Sequence, residues 1–161
     1  VNKILNFFEL FAQPLMESKK DKLSGIVLIV NDKILLVKPK KFKGQPRKWS
    51  IPKGRIEKGS GNIKTAFKEL QEETGIKFKK QRIYVHDYGT INYKKSGRIK
   101  VLDFYVVKLE PGSLNVDINK QGEIPKRFFK GGEIFKAKFM PYKEALGKIE
   151  WGQSKVLKYL Q

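Results

Sequence analysis

Apolar and polar positions along the 161 residues fall into short, distinct periods. Residues 25 to 30 (GIVLIV) and 33 to 37 (KILLV) are continuous β-rich runs, and Asn31-Asp32 between them is a hairpin turn signal. Residues 82 to 110 predict two or three antiparallel strands, with a turn at 94 to 97 and alternation from Ile99 to Leu109. EIFKAKFM alternates like a further strand, and residues 141 to 161 predict one or two closing helices broken near Gly152. Between Asn62 and Thr74 the period changes: Ile63, Ala66, Phe67 and Leu70 recur at helical spacing, and Gly75 stands where a left-handed cap belongs. Near the start, Ile4, Leu5, Phe7, Phe8, Leu10 and Phe11 predict a short amphipathic helix ending before Pro14. Residues 16 to 24 (MESKKDKLS) read as a polar linker, 38 to 48 as a basic loop ahead of a strand at 48 to 51, and 111 to 132 as a long aperiodic loop. The expected organisation is an amino-terminal segment and linker at 1–23, followed by one α+β domain over 24–161.

Composition adds two constraints. Lys and Arg outnumber Asp and Glu by 35 to 16, a formal charge of +19, which attracts polyanions such as nucleotides, inositol phosphates or RNA. A solubility adaptation or a Lys-rich genome gives the same balance. The absence of cysteine excludes disulfides, thiol nucleophiles and Cys-based zinc sites, and fits a cytoplasmic protein. No run approaches the roughly 20 apolar residues of a membrane span. Oligomeric state leaves no mark in the sequence.

Against this basic background, Glu69, Glu72 and Glu73 crowd the end of the expected helix. Like charges three and four residues apart repel, and the helix C-terminus disfavours them further. Either they form a solvated face relieved by Lys68, or they bind a hard divalent cation through oxygen ligands. The preceding segment, WSIPKG followed by the loop from Arg55 to Gly61, favours the second reading. Gly54, Glu69, Leu70, Glu72, Glu73, Gly75 and Ile76 resemble the signature of the Nudix hydrolases, matching seven of its nine specified positions without a gap. The likeness extends over roughly residues 24 to 160, and the PKG at 52–54 looks most like the branch acting on diadenosine polyphosphates or diphosphoinositol polyphosphates.

This resemblance implies a Nudix α/β/α sandwich with a mixed β-sheet, and hydrolysis of a diphosphate linkage with Mg²⁺ or Mn²⁺. It implies metal ligation by Glu69, Glu72, Glu73 and the Gly54 carbonyl, and a catalytic part for Glu72 and Glu73. Glu133, which begins EIFKAKF, resembles a glutamate opposite the signature helix and is the candidate to activate water, with Asp103 and Glu123 as alternatives. Lys53, Arg55, Lys41 and Lys43 flank the Gly54 turn or lie in the preceding loop and are candidate phosphate contacts. Tyr93, Phe128 or Phe129 are candidates to stack on a base, and His86 reads as structural. Ser60 and Lys68 depart from the signature, which has glutamate and arginine there; the expectation is a compensated swap, with Glu57 supplying charge. The expected substrate is a nucleoside polyphosphate such as diadenosine tetraphosphate. Alternatives are an RNA 5′ end, a diphosphoinositol polyphosphate, or binding of nucleotide or RNA without hydrolysis.

Overall fold

A run that is apolar on both sides sets the central strand. The computed structural model describes residues 20–78, 83–110 and 112–160, so the helix expected at 4 to 11 lies outside the described residues. Strand β1 (Lys20–Val30) buries Ile26, Val27 and Leu28 completely, as a strand covered on both faces must. Asn31 and Asp32, with φ of 53° and 61°, make the tight turn into β2 (Lys33–Pro39). The order continues with β3 (Lys53–Arg55), α1 (Asn62–Thr74), β4 (Val85–Lys95), β5 (Arg98–Leu109), β6 (Ile134–Pro141), α2 (Tyr142–Lys148) and α3 (Ser154–Tyr159).

One mixed sheet has the order β4-β5-β1-β2-β6, with β3 also paired to β1. β1 and β5 run parallel in unbroken register from Lys20 opposite Ile99 to Val30 opposite Leu109, and the other pairs are antiparallel. Each face of the sheet has its own core. Ile26, Leu28 and Leu35 pack with Ala66 and Leu70 of α1, while Val27, Leu36 and Phe104 pack with Ala145, Val156 and Leu157 of α2 and α3. The result is the expected α/β/α sandwich with a mixed sheet.

Two expectations change. Lys20 to Leu23, read as linker, are strand: Asp21 and Leu23 turn inward while Lys20 and Lys22 turn out. The buried Asp21 made the segment look polar, yet it is satisfied by the paired Nε and guanidinium nitrogens of Arg98, at 2.9 and 2.7 Å, and by Lys100. The strand expected at 48 to 51 starts later, at Lys53. Ser50 and Val37 exchange two backbone hydrogen bonds of 2.8 Å, and then Pro52, which has no N–H, ends that pairing.

Candidate active site

α1 buries Ala66 and Leu70 against the sheet, and this fixes where its glutamates point. Gly75 closes the helix at φ 80°, its N–H donating to the Gln71 carbonyl at 2.8 Å. A side chain there would also collide with the Phe128 carbonyl, since a Cβ would lie 2.1 Å from its oxygen. Glu69 faces β3, where a Cβ on Gly54 would stand 2.1 Å from the Glu69 carboxyl carbon; only glycine lets the strand approach that carboxylate. Glu73 is buried, and its Oε2 accepts the Lys53 backbone N–H at 3.2 Å. Glu72 sits outward, 3.9 Å from the Lys68 ammonium, which also lies 3.7 Å from Glu57. All three of those side chains are largely exposed, so these ion pairs contribute little stability. Lys68 therefore does stand between Glu57 and Glu72, while Ser60 only closes a turn onto the Glu57 carbonyl at 3.0 Å.

Glu133 is brought to the same place by main-chain bonds. The N–H groups of Lys130 and Gly131 both donate to the Glu72 carbonyl, at 3.0 and 2.8 Å, and the Lys40 N–H donates to the Glu133 carbonyl at 2.9 Å. The loop ahead of β6 is thereby joined to the end of α1 and to the end of β2. Electrostatics registers the convergence. Burial, with Glu72 and Glu133 repelling, pushes the Glu69 carboxyl up to about 7. Burial also raises Glu73 well above the usual carboxylate range, with Glu69 and Glu133 adding to the shift and Lys53 opposing it. Lys53 is lowered by its own burial against the attraction of Glu73.

The other candidates divide. Arg55 lies 3.5 Å from Asp21, largely exposed, and shares a small cavity with Glu57, Lys68 and Glu69. Lys41 and Lys43 are exposed in the loop after β2; Lys41 lines a notch with Arg47 and Phe135, and the Lys43 ammonium lies 5.4 Å from the Phe42 ring. Asp103 is committed to Thr90, at 2.6 Å, and to Asn62, and half-buried Glu123 pairs through its main chain with Lys138 of β6. Tyr93 does not offer a stacking face: it is buried, with Gln153 Nε2 at 3.5 Å from its hydroxyl. Phe128 and Phe129 pack against the α1-side core, and His86 is exposed at a bulge in β4.

Sequence reasoning missed the groups surrounding Lys53. Its charge is felt by Lys95, Glu150 and Arg47, and Glu150 accepts from Lys95 at 3.2 Å and from Gln153 at 3.1 Å. Buried Gln153 in turn accepts from Ser50 Oγ and the Ile51 N–H, at 3.1 and 3.2 Å, so it steadies the approach to Gly54. A lone glutamine after a Trp-Gly pair carries no pattern that would have revealed this.

Chemically, the arrangement is an oxygen-rich, partly desolvated socket whose carboxylates repel one another. A divalent cation would relieve that repulsion, and the all-oxygen donor set suits a hard ion. Among the described residues no three acidic or histidine side chains gather closely enough to hold an ion jointly as they stand. No helix among the described residues is long and apolar enough to cross a membrane.

The family model described as NUDIX domain matches residues 21–160. Nudix hydrolase 6 of Arabidopsis thaliana is 30% identical over 109 residues, 68% of this chain and 33% of that protein. RNA pyrophosphohydrolase of Pelagibacter ubique (strain HTCC1062) is 38% identical over 53 residues, 33% of each chain. The chain thus spans about a third of the length of these two relatives. Among solved structures, a C. elegans Ap4A hydrolase binary complex superposes with a TM-score of 0.64 at 19% identity, covering 87% of this chain and 94% of that one. The NUDIX domain of Shewanella oneidensis NrtR complexed with ADP ribose superposes at 0.61 with 14% identity, covering 88% and 86%. At these identities the superpositions establish the fold.

Proposed function

The chain belongs to the Nudix hydrolase family, and from that premise we propose that it hydrolyses a diphosphate linkage in a nucleoside polyphosphate such as diadenosine tetraphosphate. The observation that carries this reading is the placement of Glu69 against Gly54 and of buried Glu73 on the Lys53 N–H, at the end of the helix that also bears Glu72. Burial makes Glu69 and Glu73 costly to charge, and a bound cation would offset that cost.

Glu69, Glu72, Glu73 and the Gly54 carbonyl are the proposed ligands for Mg²⁺ or Mn²⁺. Mg²⁺ retains several waters and takes only one or two direct carboxylates, so three need not converge on one point. When bound, the ion supplies charge neutralisation at the phosphoryl oxygens and lowers the pKa of coordinated water. The chain's own residues do the rest. Glu133 accepts the proton of the attacking water, the rigid main-chain bonds at Lys130 and Gly131 hold it opposite α1, and Lys53, Arg55 and Lys41 receive phosphate charge. Lys43, turned toward Phe42, is the weakest of the proposed phosphate contacts. A cytoplasmic setting suits a cysteine-free chain with such a substrate.

The RNA 5′ end is the second reading, favoured by the +19 charge and by the RNA pyrophosphohydrolase likeness. The test is turnover of diadenosine tetraphosphate with Mg²⁺ by the wild type and by Glu72→Gln and Glu73→Gln. Wild-type hydrolysis that falls by more than the roughly 10- to 100-fold typical of an outer-shell loss supports the assignment. Wild-type turnover undetectable over a panel of diphosphates, with nucleotide binding retained, leaves a binding domain instead.

A further inference from the structure

Beside Glu133, the pairing of β2 with β6 slips by one residue. Lys38 faces Lys136 and Pro39 faces Ile134, so Phe135 is the unpaired residue of a β-bulge. Bulges of this kind re-aim a side chain, and here the alternation breaks: Phe135, 40% exposed, and Lys136 after it both face out. The ring borders a notch of about 180 Å³ lined by Phe135, Pro39 and Pro46 together with Lys38, Lys40, Lys41 and Arg47. Lys126 Nζ lies 4.4 Å from the ring centroid. The notch adjoins the candidate site, since the Lys40 N–H is bonded to the Glu133 carbonyl.

From this juxtaposition we infer that the notch between Phe135, Pro39 and Pro46 is the subsite for the nucleobase of the substrate, with Lys41 and Arg47 taking the phosphates that lead from it toward Gly54. The inference rests on the diphosphate-hydrolase reading and names the other half of its substrate. Phenyl and proline surface among lysines and an arginine matches a flat aromatic base joined to phosphates. It does not match an inositol ring, whose hydroxyls would lose water against proline and phenyl surfaces without new partners. At about 180 Å³ the notch is smaller than the 300–1,000 Å³ of sites that enclose a drug-sized ligand, and is sized for one ring system. Of the sequence-based choices, Tyr93 is buried and Phe128 and Phe129 are partly buried against the α1-side core, while Phe135 was overlooked because a bulge leaves no signature in the alternation of EIFKAKFM.

The test is a calorimetric titration of the full chain, in Mg²⁺, with ADP and separately with inorganic tripolyphosphate, for the wild type, Phe135→Ala and Phe135→Tyr. Proton NMR of the adenine H2 and H8 signals accompanies it. The expected result is a roughly tenfold or greater rise in the ADP Kd for Phe135→Ala, recovery with Phe135→Tyr, and a tripolyphosphate Kd unchanged within about twofold. The adenine signals should move upfield with the wild type and not with Phe135→Ala. Equal ADP affinity for the wild type and Phe135→Ala overturns the inference, as does an absent upfield shift with the wild type or a parallel loss of tripolyphosphate affinity. Binding and turnover separate the two levels: no turnover on any diphosphate sinks the hydrolase reading, while the ADP comparison still decides the subsite.

Discussion

One methyl group at residue 54 separates packing from chemistry. Gly54→Ala places a Cβ 2.1 Å from the Glu69 carboxyl carbon, so that carboxylate must move. A displacement of about 1 Å at a reacting centre costs on the order of 100-fold in rate. Steady-state kinetics on diadenosine tetraphosphate should show that fall in kcat/KM, with a melting temperature lowered by only a few degrees. Glu69 also predicts a pH dependence. Its carboxyl holds a proton up to about 7 in the folded chain against an ordinary 4.5, so between those values the native state binds more protons than the unfolded one. Metal-free stability should therefore fall as pH rises through that window. Added Mg²⁺ should stabilise the chain more at pH 8 than at pH 5, which thermal unfolding with and without the ion will check. The glutamates, Gly54 and Gly75 were legible because their spacing is fixed by one helix and one turn. The partial burial of Lys53 and the burial of Tyr93 were not, because a single sequence does not say which face of an adjoining strand a second layer covers.

At the scale of elements, the Asp21 cluster ties β1 to β5 and β3. Arg98 and Lys100 hold the Asp21 carboxyl well below the usual carboxylate range, through hydrogen bonds and charge, against the opposing effect of burial. For a carboxyl lowered on folding, the stabilisation is fully present above its unfolded value, near 3.8, and is lost as pH falls below that. Asp21→Asn should thus lower the melting temperature at pH 7 and flatten the acid limb of the stability curve, since the remaining cations would face one another without their shared anion. Unchanged acid unfolding in that variant would show that the cluster is not a stability element. The same segment shows where the element reading failed. Alternation that hides an aspartate and shows two lysines looks like a linker until the cations of β5, some 77 residues away, are placed beside it. The β1–β2 turn and the α1 boundaries were predicted well, because Asn-Asp and Gly75 act through local backbone geometry that needs no distant partner.

Over the whole molecule, the charge of +19 makes ionic strength a discriminating variable. If RNA is the substrate, its affinity should fall steeply between 50 and 200 mM salt, with a log–log slope of about −0.7 for each phosphate neutralised on a single strand. Filter binding of a 5′-triphosphorylated oligonucleotide checks this; a slope below about 1 in magnitude would leave the dinucleotide reading ahead. The site itself is a whole-molecule object, since its acids come from α1 and from a loop some 60 residues later, joined by the N–H groups that Lys130 and Gly131 give to the Glu72 carbonyl. That joint uses only the main chain at residue 72, so it is indifferent to the side chain there. A single codon change that neutralises the carboxylate would leave the cavity's walls clamped in place. On the proposed hydrolase reading, Glu72→Gln is the one change that would part the grip on a nucleotide from its cleavage while the loop stays fastened.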